Sequence, residues 1–594
     1  TGGGKSTLMH TIIMSTMLHY RPEDINLYLL DFKGGIEFKI YDTYRLPHIR
    51  LLAVDAMQEF GLSILEHIIV ELNERSELCK KTIPQSNGLT SYRANKTNDM
   101  PDMPRILLIM DEFQILYNDA TNRRVANRCA QLTKRIVTEG RAYGIHLIMA
   151  TQSMNILRNL PIESGTIEQM RIRIGLKCGE GDASYLFSQN NAKDALKRMV
   201  GPIGTAVMNH NYTEEENIGL RVAYCSKECQ VSLLEKIQDS FRNVSYDCQT
   251  FEGSAKIYLL DHLRENGLYI TDEIQSTIHM GIKIEVAPPF ILRIDRKSKH
   301  NLMICGANDE MTDNIVKNYL ISAMLNRNST IYCLDGEVLI GEPDADSFYK
   351  TLRNGSRRLH LAESYSDLIS ILLEIQEIST VRKKKRSMEP IFVLIKHMQY
   401  LELIQQMLRG ESVSASEYLD NINKSDDIGF VEPDTEEIVD VESIDTDEDE
   451  DIPEALQALM GLQNTLIRHN KITVSASEQK RSQNTDVNVS RILIDLIVSG
   501  SNVGIYFVVT ASDLQTLREN MRGYENTFNK FPEIIVHSMS DEDASFLISD
   551  IQVSSMPDNV AYFYDGVKNK FQFKPYVAPS VEELQQFMNG CDIS

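Results

Sequence analysis

Hydrophobic positions near the start of the chain change between helical spacing and short apolar runs. Residues 8–20, LMHTIIMSTMLHY, have the apolar spacing of a helix, whereas residues 25–35, INLYLLDFKGG, form an apolar run that two glycines stop. Further apolar runs occupy residues 106–110 and 145–150. Such runs, separated by helical segments, are typical of buried parallel strands. The pattern therefore predicts an α/β fold with a doubly wound parallel sheet.

A phosphate-binding pattern precedes the first predicted helix. TGGGKST, residues 1–7, contains the later part of the P-loop G-x-x-x-x-G-K-[ST], whose first Gly would lie two places before Thr1. A P-loop also needs a preceding strand, so we interpret the chain as a fragment of a longer protein. A loop of glycines can surround phosphate oxygens with backbone N–H groups, and the following helix points its positive end at them. Lys5 supplies a point charge for the β and γ phosphates, and the Ser6 hydroxyl completes a Mg²⁺ shell.

Two acids end the apolar run at residues 106–110. Asp111 and Glu112 stand in the order of a Walker B strand, whose Asp holds the water shell of Mg²⁺ and whose Glu accepts a proton from the attacking water. Gln152 ends the next predicted strand, where it can sense the γ phosphate and align water; an ordinary strand cap is its alternative interpretation.

These motifs predict an ATP hydrolase with ATP and Mg²⁺ as cofactors. Catalysis is assigned to Lys5, Asp111, Glu112 and Gln152, and the metal to Ser6 and Asp111. The nucleotide is assigned to the loop and first helical residues Gly2, Gly3, Gly4, Lys5, Ser6 and Thr7.

Several motifs together resemble the motor domain of the FtsK/SpoIIIE family. They are TGGGKST, LLDFKGG, LLIMDEF, GRAYGIHLIMATQ and MRIRIGLKCGEGDASYLF, and the resemblance covers roughly residues 1–212. It implies a RecA-like fold, a homo-hexameric ring with ATP at the subunit interfaces, and a polymer threaded through the centre. It also implies an arginine supplied by a neighbouring subunit. Arg173 is the nearest counterpart and is included among the catalytic residues, with Arg171 and Arg141 as other candidates. A charged residue on an edge strand is the alternative interpretation of Arg173.

The second half of the chain repeats the first in a weaker form. GIYFVVTAS from Gly504 matches GIHLIMATQ from Gly144, and DEDASFL around Asp543 matches EGDASYL around Asp182. These matches are offset by 360 and 361 residues, which indicates a true internal repeat. The sequence therefore predicts two tandem RecA-like P-loop modules.

The second copy lacks the side chains that phosphoryl transfer needs. Met311, Thr312 and Asp313 align with the Gly, Lys and Ser of the P-loop. Lys396 and His397 align with the two Walker B acids. Without these groups most of the electrostatic stabilisation of the reaction is lost, so the second module is predicted to be degenerate and to hydrolyse no ATP. Packing as a second tier on the active ring, or binding a regulator, is its expected use.

Negative charge is concentrated in one segment of the second copy. The formal net charge is −23, and Glu411–Asp451 contains 17 acids against one lysine, which leaves −7 for the rest of the chain. A segment so poor in large apolar residues predicts a disordered acidic insertion at about residues 409–484. Because the acidity is local, it does not exclude a nucleic-acid partner.

The predicted organisation has four parts. An active FtsK-like ATPase domain occupies residues 1–225, a linker region 226–285, a degenerate P-loop domain with the insertion 286–577, and a C-terminal tail 578–594. No run of about 18 apolar residues occurs, so no membrane span is predicted. We expect a cytoplasmic protein whose membrane contact, if any, is made through an absent N-terminal region.

Three functions are compatible with these motifs. The family resemblance favours an ATP-driven translocase of double-stranded DNA. A protein-translocating motor like the ATPases of type VII secretion is the alternative, because those ATPases also combine tandem P-loop modules with degenerate later copies and a motif resembling DFKGG. A scaffold or signalling ATPase without a threaded polymer is the third. DNA is the predicted polymer, although no winged-helix domain follows the motor as it does in FtsK.

Overall fold

The computed structural model describes residues 3–590 with several gaps. These are residues 35–36, 155–156, 158–159, 211–216, 246, 268–274, 296–298, 337–346, 386–388, 402, 405–488, 550, 555 and 568. Gly2, which we predict to bind phosphate, and the predicted acidic insertion at residues 409–484 lie outside the described residues.

The chain is an α/β protein in which helices and strands alternate. Its helices are α1 (Lys5–His19), α2 (Ile40–Thr43), α3 (Gln58–Lys81), α4 (Leu89–Asn95), α5 (Asp119–Glu139), α6 (Ser164–Glu168), α7 (Glu180–Arg198), α8 (Lys227–Ser240), α9 (Leu259–Glu265), α10 (Asp309–Met324), α11 (Ser347–Gly355), α12 (Tyr365–Lys385), α13 (Val489–Ser499), α14 (Leu514–Asn520), α15 (Asp541–Leu547) and α16 (Val581–Gly590).

The strands fall into parallel and antiparallel groups. They are β1 (Ile25–Asp31), β2 (Ile49–Val54), β3 (Arg105–Asp111), β4 (Ile145–Ala150), β5 (Ile172–Leu176), β6 (Thr205–His210), β7 (Ile218–Arg221), β8 (Gln249–Glu252), β9 (Ser276–Lys283), β10 (Phe290–Ile294), β11 (Leu302–Cys305), β12 (Thr330–Asp335), β13 (Leu359–Leu361), β14 (Ile391–Lys396), β15 (Ile505–Ala511), β16 (Glu533–Val536), β17 (Ala561–Tyr564) and β18 (Lys570–Pro575).

Contacts divide the chain into two compact units. The first contains Thr1–Asp295, Ile304–Arg327 and Pro532–Ser594, and the second contains Arg296–Met303 and Asn328–Phe531. Among the described residues no helix has both the length and the apolar content needed to cross a membrane.

A parallel sheet with the order β4-β3-β1-β2-β8 forms the centre of the first unit. The strands are apolar on both sides because helices cover both faces of the sheet. On one face, Leu30 and Leu108 pack in a cluster with residues of α3 and α5. On the other, Leu27 and Leu29 pack with residues of α1 and α8. These layers confirm the predicted doubly wound α/β fold.

The segment predicted as a linker, residues 226–285, contributes to the first unit. β8 pairs with β2 in parallel, and α8 buries Leu234 and Ile237 in the same core cluster as α1. A buried lysine of β18, Lys574, donates to carbonyls at and after the end of β8, which are Glu252 O, Gly253 O and Ala255 O, at 2.8, 2.8 and 2.7 Å. The domain boundaries drawn from the repeat stay a prediction, because the contacts group residues by packing rather than by repeat.

Antiparallel strands complete the first unit. β5-β6-β7 form one sheet, and β10, β9, β18, β17 and β16 pair in that order. β16 starts 361 residues after β5, which is the offset of the repeat, and each of the two strands pairs with a following antiparallel strand.

The second unit repeats the parallel sheet of the first. Its strands have the order β15-β14-β12-β13, which corresponds to β4-β3-β1-β2. The register agrees as well, because Ile391 pairs with Ile505 as Ile106 pairs with Ile145. The tandem modules predicted from the sequence offsets are therefore confirmed by strand order and register.

The turns before the equivalent strands β4 and β15 are also alike. Gly144 and Gly504 end one-turn 3-10 helices with φ angles of 77° and 76°, in the left-handed region where a side chain is strained. Both copies thus have Gly-Ile at this turn because the glycine position needs a left-handed φ.

Candidate functional site

Three neighbouring strands of the first unit end at the same edge of the sheet. Asp31 at the end of β1 pairs with Asp111 at the end of β3, which in turn pairs with Ala150 at the end of β4. Parallel strands in register place their carboxyl ends together, and this edge is where α/β proteins bind ligands. Asp31 and Asp111, which end two apolar runs, therefore lie at the same edge of the sheet as Gln152, just beyond β4.

The P-loop helix begins beside this edge. Gly4 is the N-cap of α1 with a left-handed φ of 101°, and no side chain caps the first backbone N–H groups. At this φ a side chain would be strained, and a Cβ atom at Gly4 would be in van der Waals contact with Gly204 Cα at 3.5 Å. Helical N–H groups without a side-chain cap, following a glycine loop, fit the phosphate of a nucleotide.

Lys5 joins the loop to the Walker B acids. Its Nζ donates to Asp111 Oδ1 and lies 2.5 Å from Glu112 Oε1. Burial opposes the charge on Lys5, but hydrogen bonds to both carboxylates outweigh it and raise the pKa of the ammonium. The cation predicted to contact phosphate therefore has two anionic partners inside the chain.

The two Walker B carboxyls differ in their surroundings. Burial raises the pKa of Asp111 despite the nearby Lys5. Burial acts in the same direction on Glu112, but the donors Lys5, Gln114 and Gln152 outweigh it and hold its pKa below the ordinary value. Because Glu112 accepts from these three donors, it is an ionised carboxylate and can act as a base.

Glu112 has a strained backbone that directs its side chain into the site. Its φ and ψ are 51° and 43°, a left-handed conformation that is uncommon outside glycine. Gln152 Nε2 donates to Glu112 Oε1 at 2.6 Å, and Gln114 Nε2 donates to Glu112 Oε2 at 2.8 Å. The structure thus brings Gln152 to the predicted base, which is more than a strand cap would require.

Glu37 is a site residue that the motifs did not identify. Its Oε1 accepts from Ser6 Oγ at 2.7 Å, and its Oε2 lies 3.7 Å from His10 Nε2. His10 Nδ1 is 2.7 Å from the hydroxyl of buried Tyr41. A single Glu in a loop belongs to no periodic pattern, so the sequence contains no signal for its contact with Ser6.

The oxygen atoms at this edge fit a magnesium ion. Ser6 Oγ and the Asp111 carboxylate are the donors that Mg²⁺ prefers. Asp31 is buried, and its Oδ2 has no hydrogen-bond partner among the described residues. Burial raises the pKa of Asp31 to about 6. That Ser6 and Asp111 would hold the ion stays a prediction.

The guanidinium of Arg173 lies against backbone carbonyls of its own chain. The residue is buried, and its guanidinium donates to Met170 O, Leu186 O and Ile167 O at 3.2, 3.0 and 2.9 Å. This set of carbonyls disfavours the predicted role in a neighbour's site. Arg171 and Arg141, the other two candidates, are exposed.

The second copy has no glycine loop before its helix. α10 begins at Asp309, and Asn308 caps it by accepting from Met311 N at 3.1 Å. Met311 and Thr312 therefore lie inside the helix rather than at its start, which differs from the alignment drawn from the sequence. Thr312 Oγ1 lies 3.0 Å from His537 Nε2.

The Walker B position of the second copy keeps its backbone but not its chemistry. His397 has φ and ψ of 47° and 49°, nearly those of Glu112. Its Nδ1 lies 3.0 Å from Asp335 Oδ1, and Lys396 Nζ lies 3.5 Å from Asp335 Oδ2. A cation and an imidazole thus replace the two acids, as the sequence predicted.

Comparison with known proteins agrees with this geometry. The FtsK/SpoIIIE family model matches residues 1–155. The ESX-5 secretion system protein EccC5 of Mycobacterium tuberculosis (strain ATCC 25618 / H37Rv) is 30% identical over 201 residues, which are 32% of this chain and 13% of that protein. The DNA translocase FtsK of Staphylococcus epidermidis (strain ATCC 12228 / FDA PCI 1200) is 30% identical over 161 residues, 26% of this chain and 19% of that protein. The chain thus spans a small part of the length of these relatives.

Solved structures resemble the whole chain. The cytoplasmic domain of the Thermomonospora curvata type VII secretion ATPase EccC matches with a TM-score of 0.58 at 14% identity. The match covers 100% of this chain and 62% of that chain. EssC (ATPases 2 and 3) from Geobacillus thermodenitrificans matches with a TM-score of 0.53 at 14% identity, and the match covers 98% of this chain and 90% of that chain. At this identity the likeness concerns the fold.

Fold and site together define a tandem P-loop ATPase. Residues 1–155, in its first module, match the model of the FtsK/SpoIIIE family. The resemblance inferred from the motifs is thereby confirmed.

Proposed function

We propose that the first module hydrolyses ATP and that hydrolysis drives the movement of a protein through a type VII-like secretion system. The observation that supports hydrolysis is the cluster of Lys5, Asp111, Glu112 and Gln152 at one edge of the sheet. The observation that favours a protein substrate is the tandem architecture, which this chain shares over 98% of its length with EssC (ATPases 2 and 3).

The residues of the site divide the reaction between them. Lys5 serves the phosphates by turning away from Asp111 and Glu112, and the same movement leaves the Glu112 carboxylate free to accept a proton from water. Gln152, now bonded to Glu112, orients that water. Ser6 and Asp111 would hold Mg²⁺, which would neutralise charge that develops on the phosphates. Glu37 releases the Ser6 hydroxyl for this purpose.

Double-stranded DNA is the second candidate polymer. The FtsK translocase of Staphylococcus epidermidis matches 161 residues, all within about a quarter of this chain, so that relationship extends to the motor alone. A homo-hexameric ring with ATP between subunits is part of both candidates, and an exposed arginine such as Arg171 or Arg141 would complete the site of the neighbour.

ATP turnover by the purified chain tests the proposal and separates its two forms. Turnover is measured with Mg²⁺, with and without mixed-sequence duplex DNA at about 50 and about 200 mM salt. We expect turnover that duplex DNA does not stimulate. Stimulation that falls steeply with salt would support the DNA candidate instead, since binding to phosphates releases counterions. Absence of turnover under all conditions would contradict hydrolysis itself.

Secretion in the host organism tests the protein substrate directly. A strain carrying Glu112→Gln is compared with the parent by mass spectrometry of culture supernatants. We expect a defined subset of small proteins to disappear from the supernatant and to accumulate in the cells. An unchanged set of secreted proteins, together with defective chromosome segregation, would contradict the proposal.

A further inference from the structure

Two segments next to the P-loop expose large apolar side chains. Val200 and Ile203, between α7 and β6, are 83% and 80% exposed, and Tyr224, after β7, is 80% exposed. No hydrogen bond or ring contact of Tyr224 is found among the described residues. Exposed apolar side chains of this size, grouped beside a ligand site, often mark the surface that the ligand covers.

Both segments lie beside the first three turns of α1. Val222 N donates to Gly204 O at 2.8 Å, and this bond joins the two segments. Gly204 in turn lies beside Gly4, with its Cα atom 3.5 Å from the Cβ position there. Thr11 Oγ1 donates to Ala223 O at 3.0 Å, which places the residue before Tyr224 alongside α1.

The order of these contacts along α1 matches the order of groups in a nucleotide. Phosphates are expected at Gly4 and the first turn, which ends near Thr7. Thr11 lies one turn further along the helix. Its hydroxyl donates to Ala223 O, and Tyr224 is the next residue in the chain. A ligand that extends from the phosphates past the first turn therefore approaches the segment that contains Tyr224.

We infer that Tyr224, together with Ile203 and Val200, forms the platform that binds the nucleobase of ATP. This inference rests on the proposed ATP hydrolysis. Stacking on an aromatic ring and contact with aliphatic side chains are the usual means of holding a purine, and both kinds of side chain are present here. The platform is separate from Lys5 and Ser6, which serve the phosphates and the metal ion, so it contributes to affinity rather than to the chemical step.

Nucleotide binding by the full chain tests the platform. Dissociation constants for Mg²⁺-ATP and for inorganic tripolyphosphate are measured by calorimetry for wild type, Tyr224→Ala and Tyr224→Phe. Tyr224→Ala should weaken ATP binding by roughly tenfold, because one base-stacking contact is lost, and should leave tripolyphosphate binding unchanged. Tyr224→Phe should retain wild-type affinity. In turnover, Tyr224→Ala should raise KM and leave kcat nearly unchanged.

Tyr20→Ala is the matched control, because Tyr20 is a half-exposed tyrosine at the other end of α1. It should bind both ligands as wild type does. Equal affinity of wild type and Tyr224→Ala for ATP would overturn the inference while leaving hydrolysis intact. A change in oligomeric state at unchanged ATP affinity would also overturn it and would assign these side chains to a contact between copies of the chain. If wild type binds tripolyphosphate but not ATP, the proposed function itself fails.

Discussion

Replacing Lys5 by Ala should destabilise the first unit in addition to removing nucleotide binding. Lys5 is bonded to both Walker B carboxylates, whose side chains are only 4% and 3% exposed. Without its ammonium, two negative charges share a site that water scarcely reaches. Breaking a buried ion pair by removal of one partner costs about 3–5 kcal/mol.

Protonation of one carboxyl limits this cost and makes it depend on pH. A carboxyl with an ordinary pKa of about 4.3 takes up a proton at a cost of roughly 4 kcal/mol at pH 7.5 and roughly 2 kcal/mol at pH 5.5. The destabilisation by Lys5→Ala should therefore not exceed these values. It should fall by about half between the two conditions.

The sign of the pH dependence differs between wild type and variant. In wild type the folded-state pKa of Glu112 is lowered, so its stabilising contribution is present above the unfolded pKa and is lost as pH falls through the folded value. In Lys5→Ala the like charges raise the folded pKa of one carboxyl. Its unfavourable contribution is then complete above that raised pKa and disappears as pH falls below the unfolded value.

Thermal unfolding without nucleotide measures this effect. Wild type, Lys5→Ala and the double variant Lys5→Ala/Glu112→Gln are compared at pH 7.5 and 5.5. The double variant should recover most of the lost stability, since one buried charge has been removed. Lys134→Ala is the control, because its ion pair with Glu163 is about half exposed and worth little. Wild-type stability of Lys5→Ala at both pH values would refute the reasoning.

Three further predictions concern the nucleotide site and its neighbours. Glu112→Gln should retain ATP binding and lower kcat by roughly 10²–10⁴-fold, because only the base is lost; wild-type turnover would contradict its assignment. Calorimetric titration of the full chain with Mg²⁺-ATP should give one site per chain and none in Lys5→Ala, because the second copy lacks its loop and cation; a second saturable site would show that the second module binds nucleotide. Arg171→Ala should lower turnover without weakening ATP binding, and mixing with Glu112→Gln subunits should restore turnover. Arg173→Ala should instead lower the unfolding temperature, because three carbonyls lose their donor. A soluble and stable Arg173→Ala variant with no turnover would show that Arg173 has the catalytic role.

The parallel sheet and the phosphate loop could be predicted because local sequence determines them. Apolar runs such as INLYLLD need two covered faces, and a GGGKS segment has few other uses. Asp111, Glu112 and Gln152 follow such runs directly, so their meeting at one edge follows from the parallel order of the strands. The repeat could be predicted from its constant offset.

Other features depend on contacts between distant segments and have no local signal. Glu37 follows β1 and contacts Ser6 of α1, which is 31 positions away in the sequence. The sequence predicts Arg173 as an exposed strand residue. Its burial depends on carbonyls of α6, of the turn that follows α6, and of α7. The alignment places the start of α10 near Thr312, but the helix begins at Asp309, where Asn308 caps it.

The two helix starts show what the phosphate site requires of the chain. α1 has no side-chain cap, no acid in its first turn, and a lysine there, although a cation is unfavourable at a helix N-terminus. α10 has an Asn308 cap and two acids, Asp309 and Glu310, in its first turn. Each feature stabilises a helix by up to about 1 kcal/mol. The first copy thus gives up helix stability where phosphate must bind, and the second copy has the arrangement expected when that requirement is gone. The same exchange of sign occurs at the Walker B position, where Lys396 replaces an acid. The Asn308 cap takes one of the N–H groups that an anion would use, and the two acids repel an anion, so the predicted loss of nucleotide binding and the gain in local stability have one physical cause.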